Sequence, residues 1–242
     1  DLTQWQNSAG TTLASMGMST NNERATLMVS GTIVSNPSDA NLIDALSIGS
    51  GTAANGNYNT VIGALAQGPA GGSATVIGRA ATAEVGGVSI GNGATTSTNA
   101  VAIKGLATDS EAVAIGYATS ATTSRSVAIG SNTESTHDYS VGVGYNCDSA
   151  GDYSVSVGPS ASAGNRSIAL GLNAKATNDY SIAMGNYMTA PTSGLCIGMT
   201  SDYANPYTML SGLFNSSKTA TNGFLNIFEN KLQVSGDGSV KV

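Results

Sequence analysis

The chain has few charged and few aromatic side chains. Only 10% of its 242 residues are charged and 5% are aromatic, whereas about a quarter of an ordinary globular domain is charged. Hydrophobic residues make up 40%, but many of them are alanine, and the large side chains are too few for one wide core. This composition predicts a thin core that is repeated along an axis.

Other features that the sequence lacks exclude several classes of partner. The formal net charge is −6 and no cluster of Lys and Arg occurs, so nucleic acid is not an expected partner, because a phosphate backbone is bound by clustered positive charge. No apolar run approaches the roughly 20 residues of a membrane-spanning helix, and no membrane insertion by this segment is expected. The chain does not begin with methionine, which indicates a fragment or a processed form.

Residues for catalysis and metal binding are also scarce. His137 is the only histidine, so a Ser–His–Asp arrangement has no credible base, and no Walker-type phosphate loop occurs. His137 has no Cys or His partner at the spacing of zinc ligands. We therefore expect no catalytic residues, no cofactor, no metal site and no enzyme activity, and we expect His137 to be exposed.

What the sequence does contain is a repeat with a period of 12 to 15 residues. An apolar anchor residue recurs twelve times, and eleven of the anchors are followed directly by Gly. A β-branched residue or Leu stands two places before the anchor, and the residue between them is mostly small. The anchors are Ile48, Ile62, Ile77, Ile90, Ile103, Ile115, Ile129, Val143, Val157, Leu170, Met184 and Ile197.

The alternation with period two predicts a short strand in each repeat. A weaker alternation follows, as in Ser160–Ala163, and indicates a second strand that packs by its alanines against the first. Stacked copies form a parallel solenoid, and the fixed spacing argues against low-complexity disorder. The glycines after the anchors are expected to form tight turns by positive φ or close backbone approach: Gly49, Gly63, Gly78, Gly91, Gly116, Gly130, Gly144, Gly158, Gly171, Gly185 and Gly198.

Three repeats carry a resemblance to a known family. Ser126–Gly130 reads Ser-Val-Ala-Ile-Gly, and Ser167–Gly171 and Ser181–Gly185 are close variants. Over roughly residues 44–200 the chain resembles the YadA-like head of trimeric autotransporter adhesins, which is also found in phage tail-fibre and appendage proteins. The resemblance implies an all-β, left-handed parallel β-roll of about 12 coils that assembles as a homotrimer. It also implies that the small residue between the two large ones faces the neighbouring subunit: Ala102, Ala114, Ala128, Ala169 and Ala183.

Two β-rich segments flank the predicted roll. Strands are expected around Trp5, in residues 11–16 and in Ala25–Val34, with a turn at Asn7–Gly10. The C-terminal segment holds all three Phe. We interpret it as a cap over the open strand edges of the solenoid, with a receptor-binding tip as the alternative. The predicted parts are a connector at 1–43, the β-roll at 44–200, and a cap or connector at 201–242.

The slot four residues before each anchor is variable, which places it at a turn that faces solvent. Tyr139 and Tyr153 occupy it in adjacent repeats and are expected to stack. A tyrosine beside a carboxylate can bind a glycan. The alternative, which we favour, is a ladder of stacked side chains that covers the turn and holds the register of the neighbouring strands. The candidate ridge comprises Tyr139, Tyr153, Tyr180, Asp138, Asp152 and Asp179.

Two expectations concern single repeats. Cys147 and Cys196 lie more than three repeats apart, which at about 4.8 Å per coil is too far for a disulfide, and Cys196 fills a small-residue slot as a buried thiol. The repeat at Lys104 has short spacings on both sides and Gly only at the next position. A local irregularity is expected there.

The sequence favours a structural and adhesive element of a trimeric extracellular fibre. The segments Leu2–Ser15 and Lys231–Val240 are similar to phage fibre segments, which favours a virion tail fibre or appendage that carries or forms a host-receptor-binding part. Its partners would be other fibre or virion proteins and a cell-surface glycan or protein. One alternative is a bacterial surface adhesin that binds matrix or glycan. An ice-binding solenoid would require a regular Thr-x-Thr array, which the second strands lack.

Overall fold

The computed structural model describes residues 3–6, 12–18, 25–29, 45–190, 193–200, 206–213, 224–227, 232–235 and 240–241. These residues form strands and turns, and none of them lies in a helix. The chain divides into two compact units, Asp1–Asn99 and Ala100–Val242. The prediction of an all-β parallel solenoid is confirmed, with about eleven turns.

The first unit begins with a three-stranded antiparallel sheet and continues as a solenoid. The strands β1 (Thr3–Gln6), β2 (Thr12–Met18) and β3 (Ala25–Val29) match the predicted N-terminal strands, and the predicted turn at Asn7–Gly10 lies outside the described residues. Four coils follow, each with one three-residue and one two-residue strand. They are β4 Leu46–Ile48, β5 Ala53–Ala54, β6 Thr60–Ile62, β7 Gln67–Gly68, β8 Thr75–Ile77, β9 Thr82–Ala83, β10 Val88–Ile90 and β11 Thr95–Thr96.

The second unit contains six more coils of the same design and a seventh, begun by β24, whose second face is the single bridge residue Thr189. Their strands are β12 Val101–Ile103, β13 Leu106–Ala107, β14 Val113–Ile115, β15 Ser120–Ala121, β16 Val127–Ile129, β17 Glu134–Ser135, β18 Val141–Val143, β19 Asp148–Ser149, β20 Val155–Val157, β21 Ser162–Ala163, β22 Ile168–Leu170, β23 Lys175–Ala176 and β24 Ile182–Met184. The even-numbered strands from β4 to β24 form the first face of each coil and the odd-numbered strands form the second face.

Strands of successive coils pair in parallel and without register shift within each unit. Val113 lies beside Val127, Ala114 beside Ala128, and Ile115 beside Ile129. Equivalent residues of successive coils therefore form straight columns. Because of this register, one residue type at one slot of the repeat builds a continuous surface.

The twelfth predicted coil is not completed. Its anchor, Ile197, lies in β25 (Gly194–Thr200), which pairs in parallel with β24 and antiparallel with β26 (Pro206–Leu213). Gly198 lies inside β25, so its prediction as a turn glycine is wrong, because the chain continues here as a strand. The strands β27 (Phe224–Ile227), β28 (Leu232–Ser235) and β29 (Val240–Lys241) extend the antiparallel sheet. The described residues of the segment 201–242 all lie in strands, and its role as a cap stays a prediction.

Small side chains fill the interior of the coils. The middle residue of each first-face strand points inward and its two neighbours point outward, as the buried Ala114 between the half-buried Val113 and Ile115 shows. In each second-face strand the second of the two residues points inward, for example Ala121. The two strands of a coil lie too close together for a larger side chain at most of these positions.

This orientation corrects one prediction. The five alanines expected to face a neighbouring subunit are 0% exposed within the single chain: Ala102, Ala114, Ala128, Ala169 and Ala183. A side chain without exposed surface has none to bury against a partner, so these residues are not a trimer interface. They are the core of the coil.

Hydroxyl side chains complete the interior by satisfying main-chain carbonyl groups. The Thr133 hydroxyl donates to the Gly144 carbonyl of the next coil at 2.6 Å. The Ser135 hydroxyl donates across its own coil to the Val127 carbonyl at 2.8 Å. A buried carbonyl without a partner would cost roughly 1–3 kcal/mol, so these bonds let a polar residue occupy so thin a core.

The glycine after the anchor has the mechanical role that the sequence predicts. Ten of the eleven glycines have φ between +122° and +154°, a region that residues with a Cβ rarely adopt. An added Cβ at Gly130 would also overlap the carbonyl oxygen of Gly144. Each glycine thus lets the main chain of its coil approach that of the next.

The Lys104 coil is irregular, as predicted. Only Lys104 and Gly105 separate β12 from β13, whereas four residues form this turn in the other coils, such as residues 116–119. Lys104 takes a positive φ of 59° without being glycine. The short spacing of this repeat therefore arises from two residues missing from one turn.

Candidate functional site

The variable slot before each anchor forms a turn with left-handed backbone in every described coil. Arg125 has a φ of 57° and Tyr139 and Tyr153 of 56°, values that are uncommon for residues other than Gly. The slot turns the chain into the next first-face strand, so within each unit its side chains project outward in a column. Its described members are Tyr58, Ser73, Gly86, Asn99, Glu111, Arg125, Tyr139, Tyr153, Arg166, Tyr180 and Ser193.

Six consecutive members of this slot in the second unit touch one another. We call Glu111, Arg125, Tyr139, Tyr153, Arg166 and Tyr180 the tyrosine–arginine column. Its first contact is an ion pair in which Arg125 Nε donates to Glu111 Oε2 at 2.6 Å. Arg125 Nη1 donates to Tyr139 Oη at 2.7 Å. The bonds to Glu111 and then to Tyr139 raise the pKa of Arg125.

Two tyrosine rings of the column stack, and arginine guanidinium groups cover their outer faces. Tyr139 and Tyr153 stack with ring centroids 5.1 Å apart and an interplanar angle of 5°, which confirms the predicted stacking. The Arg125 guanidinium lies 5.5 Å from the Tyr139 centroid, on the side opposite Tyr153. Arg166 lies 5.7 Å from the Tyr153 centroid and 5.6 Å from that of Tyr180. Both faces of Tyr139 and Tyr153 are therefore covered by column neighbours.

This packing favours the register-holding interpretation of the ridge over glycan binding. A sugar stacks on an open ring face, and the faces of Tyr139 and Tyr153 are occupied. The exposed aspartates of the ridge contribute main-chain bonds: the Asp138 carbonyl accepts from Tyr153 N at 2.9 Å, and the Asp152 carbonyl accepts from Arg166 N at 2.8 Å. Asp179 likewise accepts from Ser193 N at 3.1 Å.

The first face of the solenoid presents a second surface, made of aliphatic side chains. In the second unit the outward residues of its strands are all Val, Ile, Leu or Met, yet they are half-buried or exposed, and Ile129 is 36% exposed. We call those of the second unit the aliphatic face: Val101, Ile103, Val113, Ile115, Val127, Ile129, Val141, Val143, Val155, Val157, Ile168, Leu170, Ile182 and Met184.

The aliphatic face is unusual for a parallel sheet. Such sheets are normally covered on both faces, and here the inner face packs on the second-face strands whereas the outer face has no other described element over it. Monomeric proteins rarely expose a large continuous apolar patch. The face has the character of a surface that a partner covers.

The second face carries an unfavourable pair of carboxylates. Glu134 and Asp148 occupy the same outward position in adjacent parallel strands, and Ser162 follows in the next coil. Burial raises the pKa of Asp148, the charge of Glu134 raises it further, and the charge of His137 partly offsets this. The ionised form of Asp148 is thus less favourable in the folded chain than in the unfolded chain.

Replacing Asp148 with asparagine is expected to stabilise the protein near pH 7 by about 0.5 kcal/mol, within the range for cross-strand pairs. Because the folded pKa is raised, the folded wild type binds more protons than the unfolded chain, and its stability falls as pH rises from the ordinary Asp pKa through the folded one. Urea denaturation from pH 3 to pH 8 measures this. Asp152→Asn, on an exposed turn, is the control, and an unchanged pH profile in Asp148→Asn would contradict the assignment.

Both cysteines behave as the sequence predicts. Cys147 and Cys196 are buried, and neither forms a disulfide. Burial raises the pKa of Cys147 to about 11, and its thiol donates to the Ser156 carbonyl at 3.2 Å. His137 is exposed, with its Nδ1 3.3 Å from the Thr136 hydroxyl. The two cysteine side chains belong to the buried core of the second unit.

Sequence reasoning missed one exposed corner of the solenoid. The residue directly after the turn glycine is Tyr in two coils, Tyr117 and Tyr145, and both are more exposed than the tyrosines of the column. The signal is present in the sequence as Gly116-Tyr117 and Gly144-Tyr145, but Tyr fills this slot in only two repeats, so no periodicity marks it. Within the described residues, no helix is long and apolar enough to cross a membrane.

Comparison with protein families places two matches on the second unit. The family model described as YadA head domain repeat matches residues 107–133 and 162–187. Each match spans about two coils, including Val113–Ile115 and Val127–Ile129 in the first and Ile168–Leu170 and Ile182–Met184 in the second. No curated protein matches the chain. The solenoid of this chain therefore contains YadA head repeats, as the Ser-Val-Ala-Ile-Gly motif indicated.

Proposed function

We propose that the chain is a structural and adhesive element of a trimeric extracellular fibre. The aliphatic face carries this proposal, because a solenoid with YadA head repeats leaves it open in the single chain. The YadA head family implies trimeric association in general, and its heads are extracellular surface elements. We assign the chain no catalytic role.

Three copies of the chain are the proposed cover of the aliphatic face. The face is straight and repeats coil by coil, so identical copies can align their coils at one level around a three-fold axis. A closed ring of three identical chains gives every copy the same contacts. Burial of the outward Val and Ile side chains at roughly 25 cal/mol per Å² of apolar surface would drive the association.

The native protein is expected to have three times the 24.0 kDa mass of the chain in light scattering after size exclusion. In Ile115→Asp/Ile129→Asp, the trimer should dissociate at least 100-fold more readily, because each buried, unpaired carboxylate costs several kcal/mol and 1.4 kcal/mol is a factor of ten. The matched control places the same charges at exposed positions of the second face that have no carboxylate beside them, as Gln67→Asp/Leu106→Asp, and should stay trimeric. A monomeric wild type would refute the assembly.

Within this proposal, we place the fibre on a virion, as a tail fibre or appendage that carries or forms a host-receptor-binding part. The similarity of Leu2–Ser15 and Lys231–Val240 to phage fibre segments supports this placement. The alternative is the head of a bacterial trimeric adhesin that binds matrix or glycan. Neighbouring genes for virion proteins are expected; genes for secretion and outer-membrane proteins alone would favour the adhesin.

The second face gives no support to an ice-binding solenoid. Its outward positions in the second unit differ in size and charge and carry Leu106, Ser120, Glu134, Asp148, Ser162 and Lys175. A flat array of threonines is not formed by the described coils of this unit. Absence of thermal hysteresis in the purified protein would be the direct check.

A further inference from the structure

The corner after the turn glycine holds two open aromatic rings on one edge of the second unit. Tyr117 is 75% exposed and Tyr145 is 64% exposed. They occupy the same slot two coils apart, and Ser131 fills that slot in the coil between them. At about 4.8 Å per coil, the two residues are separated by about 9.6 Å along the solenoid.

The faces of these rings are open, unlike those of the tyrosine–arginine column. Tyr139 is 41% exposed and is sandwiched between Arg125 and Tyr153. Neither Tyr117 nor Tyr145 has a ring or cation contact with another described residue. The short side chain of Ser131 explains this, because it leaves a gap between the two rings. In the tyrosine–arginine column, the corresponding place beside Tyr139 is filled by the stacked ring of Tyr153. An open ring face is an apolar platform with a polar hydroxyl at its edge.

The main chain holds the two rings at a fixed spacing. Asn132 N donates to the Tyr117 carbonyl at 2.8 Å, Asn146 N to the Ser131 carbonyl at 3.0 Å, and Ser160 N to the Tyr145 carbonyl at 2.8 Å. These three bonds join four successive coils at this corner. A ligand that contacts both rings therefore meets a preformed surface and does not have to order a loop, which favours affinity.

Amide groups lie beside the rings. Asn132 and Asn146, each next to the ring slot of its coil, are exposed, and Asn132 Nδ2 donates to Asn146 Oδ1 at 2.7 Å. An amide side chain has two donor hydrogens and one acceptor oxygen. The Asn132 oxygen can accept and the Asn146 NH2 group can donate further hydrogen bonds, so the pair offers a ligand both an acceptor and a donor.

Aromatic faces with amides between them are suited to a sugar chain, whose C–H faces stack on rings while its hydroxyl groups exchange hydrogen bonds with amides. The carboxylates of Glu134 and Asp148 follow two residues after each Asn and disfavour an anionic chain. We propose that Tyr117, Tyr145, Asn132 and Asn146 bind a neutral oligosaccharide that runs along the solenoid axis. This binding site rests on the adhesive role proposed above and specifies its ligand class.

Calorimetric titration of the native, full-length assembly tests the site, with hexasaccharides of glucose and of N-acetylglucosamine as neutral probes and oligogalacturonate as the anionic one. We expect binding of at least one neutral probe and none of the anion. Tyr117→Ala and Tyr145→Ala should each weaken it at least tenfold, whereas Tyr117→Phe should retain it. Ser131→Tyr should also weaken it, because a third ring would fill the gap and cover the open faces.

Tyr139→Ala is the matched control, since it removes an exposed tyrosine whose faces are already covered, and it should leave sugar affinity unchanged. Absence of binding to both neutral probes, preference for the anion, or an equal loss in Tyr139→Ala would each overturn the proposed site. Mass and thermal unfolding are measured for every variant. A trimer that binds no sugar refutes this site alone, whereas a monomer refutes the proposed fibre assembly.

Discussion

Gly130→Ala is expected to destabilise the solenoid by more than about 3 kcal/mol. The φ of +135° at Gly130 lies where an L-residue is strained by roughly 1–3 kcal/mol, and the new methyl group would overlap the carbonyl oxygen of Gly144. That oxygen belongs to the main chain. It cannot move aside without disturbing the hydrogen bond from Gly144 N to the Ile129 carbonyl, at 2.8 Å. Urea and thermal unfolding followed by circular dichroism measure the loss.

The control for Gly130→Ala is Gly93→Asn. Gly93 also has a positive φ, +68°, but an added Cβ there would meet nothing within 4 Å. The same turn position in other coils is filled by Asn132 and Ala118 at similar φ. We expect Gly93→Asn to change stability by less than about 1 kcal/mol. Equal losses in the two variants would show that positive φ alone, and not the close approach of the coils, accounts for the glycine.

Ala128→Leu is the second substitution with a large expected effect, and it should unfold the coils around it. Ala128 lies inside its coil with no exposed surface, between Ala114 of the coil before and Gly142 of the coil after. Three added carbon atoms have no space in so thin a core. We expect a loss of about 3 kcal/mol, at the upper end of the range for overpacking.

The matched control is Ile129→Leu, one residue further along the same strand. Its side chain points outward onto the aliphatic face, and a swap of equal volume costs less than about 1.5 kcal/mol. Calorimetry gives the stability and light scattering gives the mass. If Ala128→Leu instead produced stable, folded monomers, Ala128 would contact a neighbouring subunit and not the core of its own coil.

The contrast between Ala128 and Ile129 shows what the sequence determines. An alternation with period two places Val127 and Ile129 on one side of the strand and Ala128 on the other. It does not say which side is inside. The usual rule puts the larger residues in the core, and that rule fails here because the two faces of a coil are so close that alanine and serine fill the space.

Other features were accessible from the sequence because they depend on local geometry. The turn at Gly130 needs a positive φ, and the short Lys104 repeat lacks residues that a regular turn needs, so both were predicted. The left-handed backbone at Arg125 and Tyr139 was not, because these residue types give no local signal for it. The end of the solenoid at Ile197 was missed as well: its motif continues the repeat, and only the pairing with β26 shows that the coil does not close.

The in-register columns make the length of such a molecule easy to change during evolution. Duplication of a whole 14-residue coil, such as the stretch from Val127 to Ser140, would insert an alanine into the core column, a valine and an isoleucine into the aliphatic face, and a glycine into the turn column. Each inserted residue would pack against the same types of residue in the neighbouring coils as the original residue does. A gene that encodes this fold can therefore lengthen or shorten its product by unequal recombination between repeats, whereas an insertion of a few residues would displace every column that follows it.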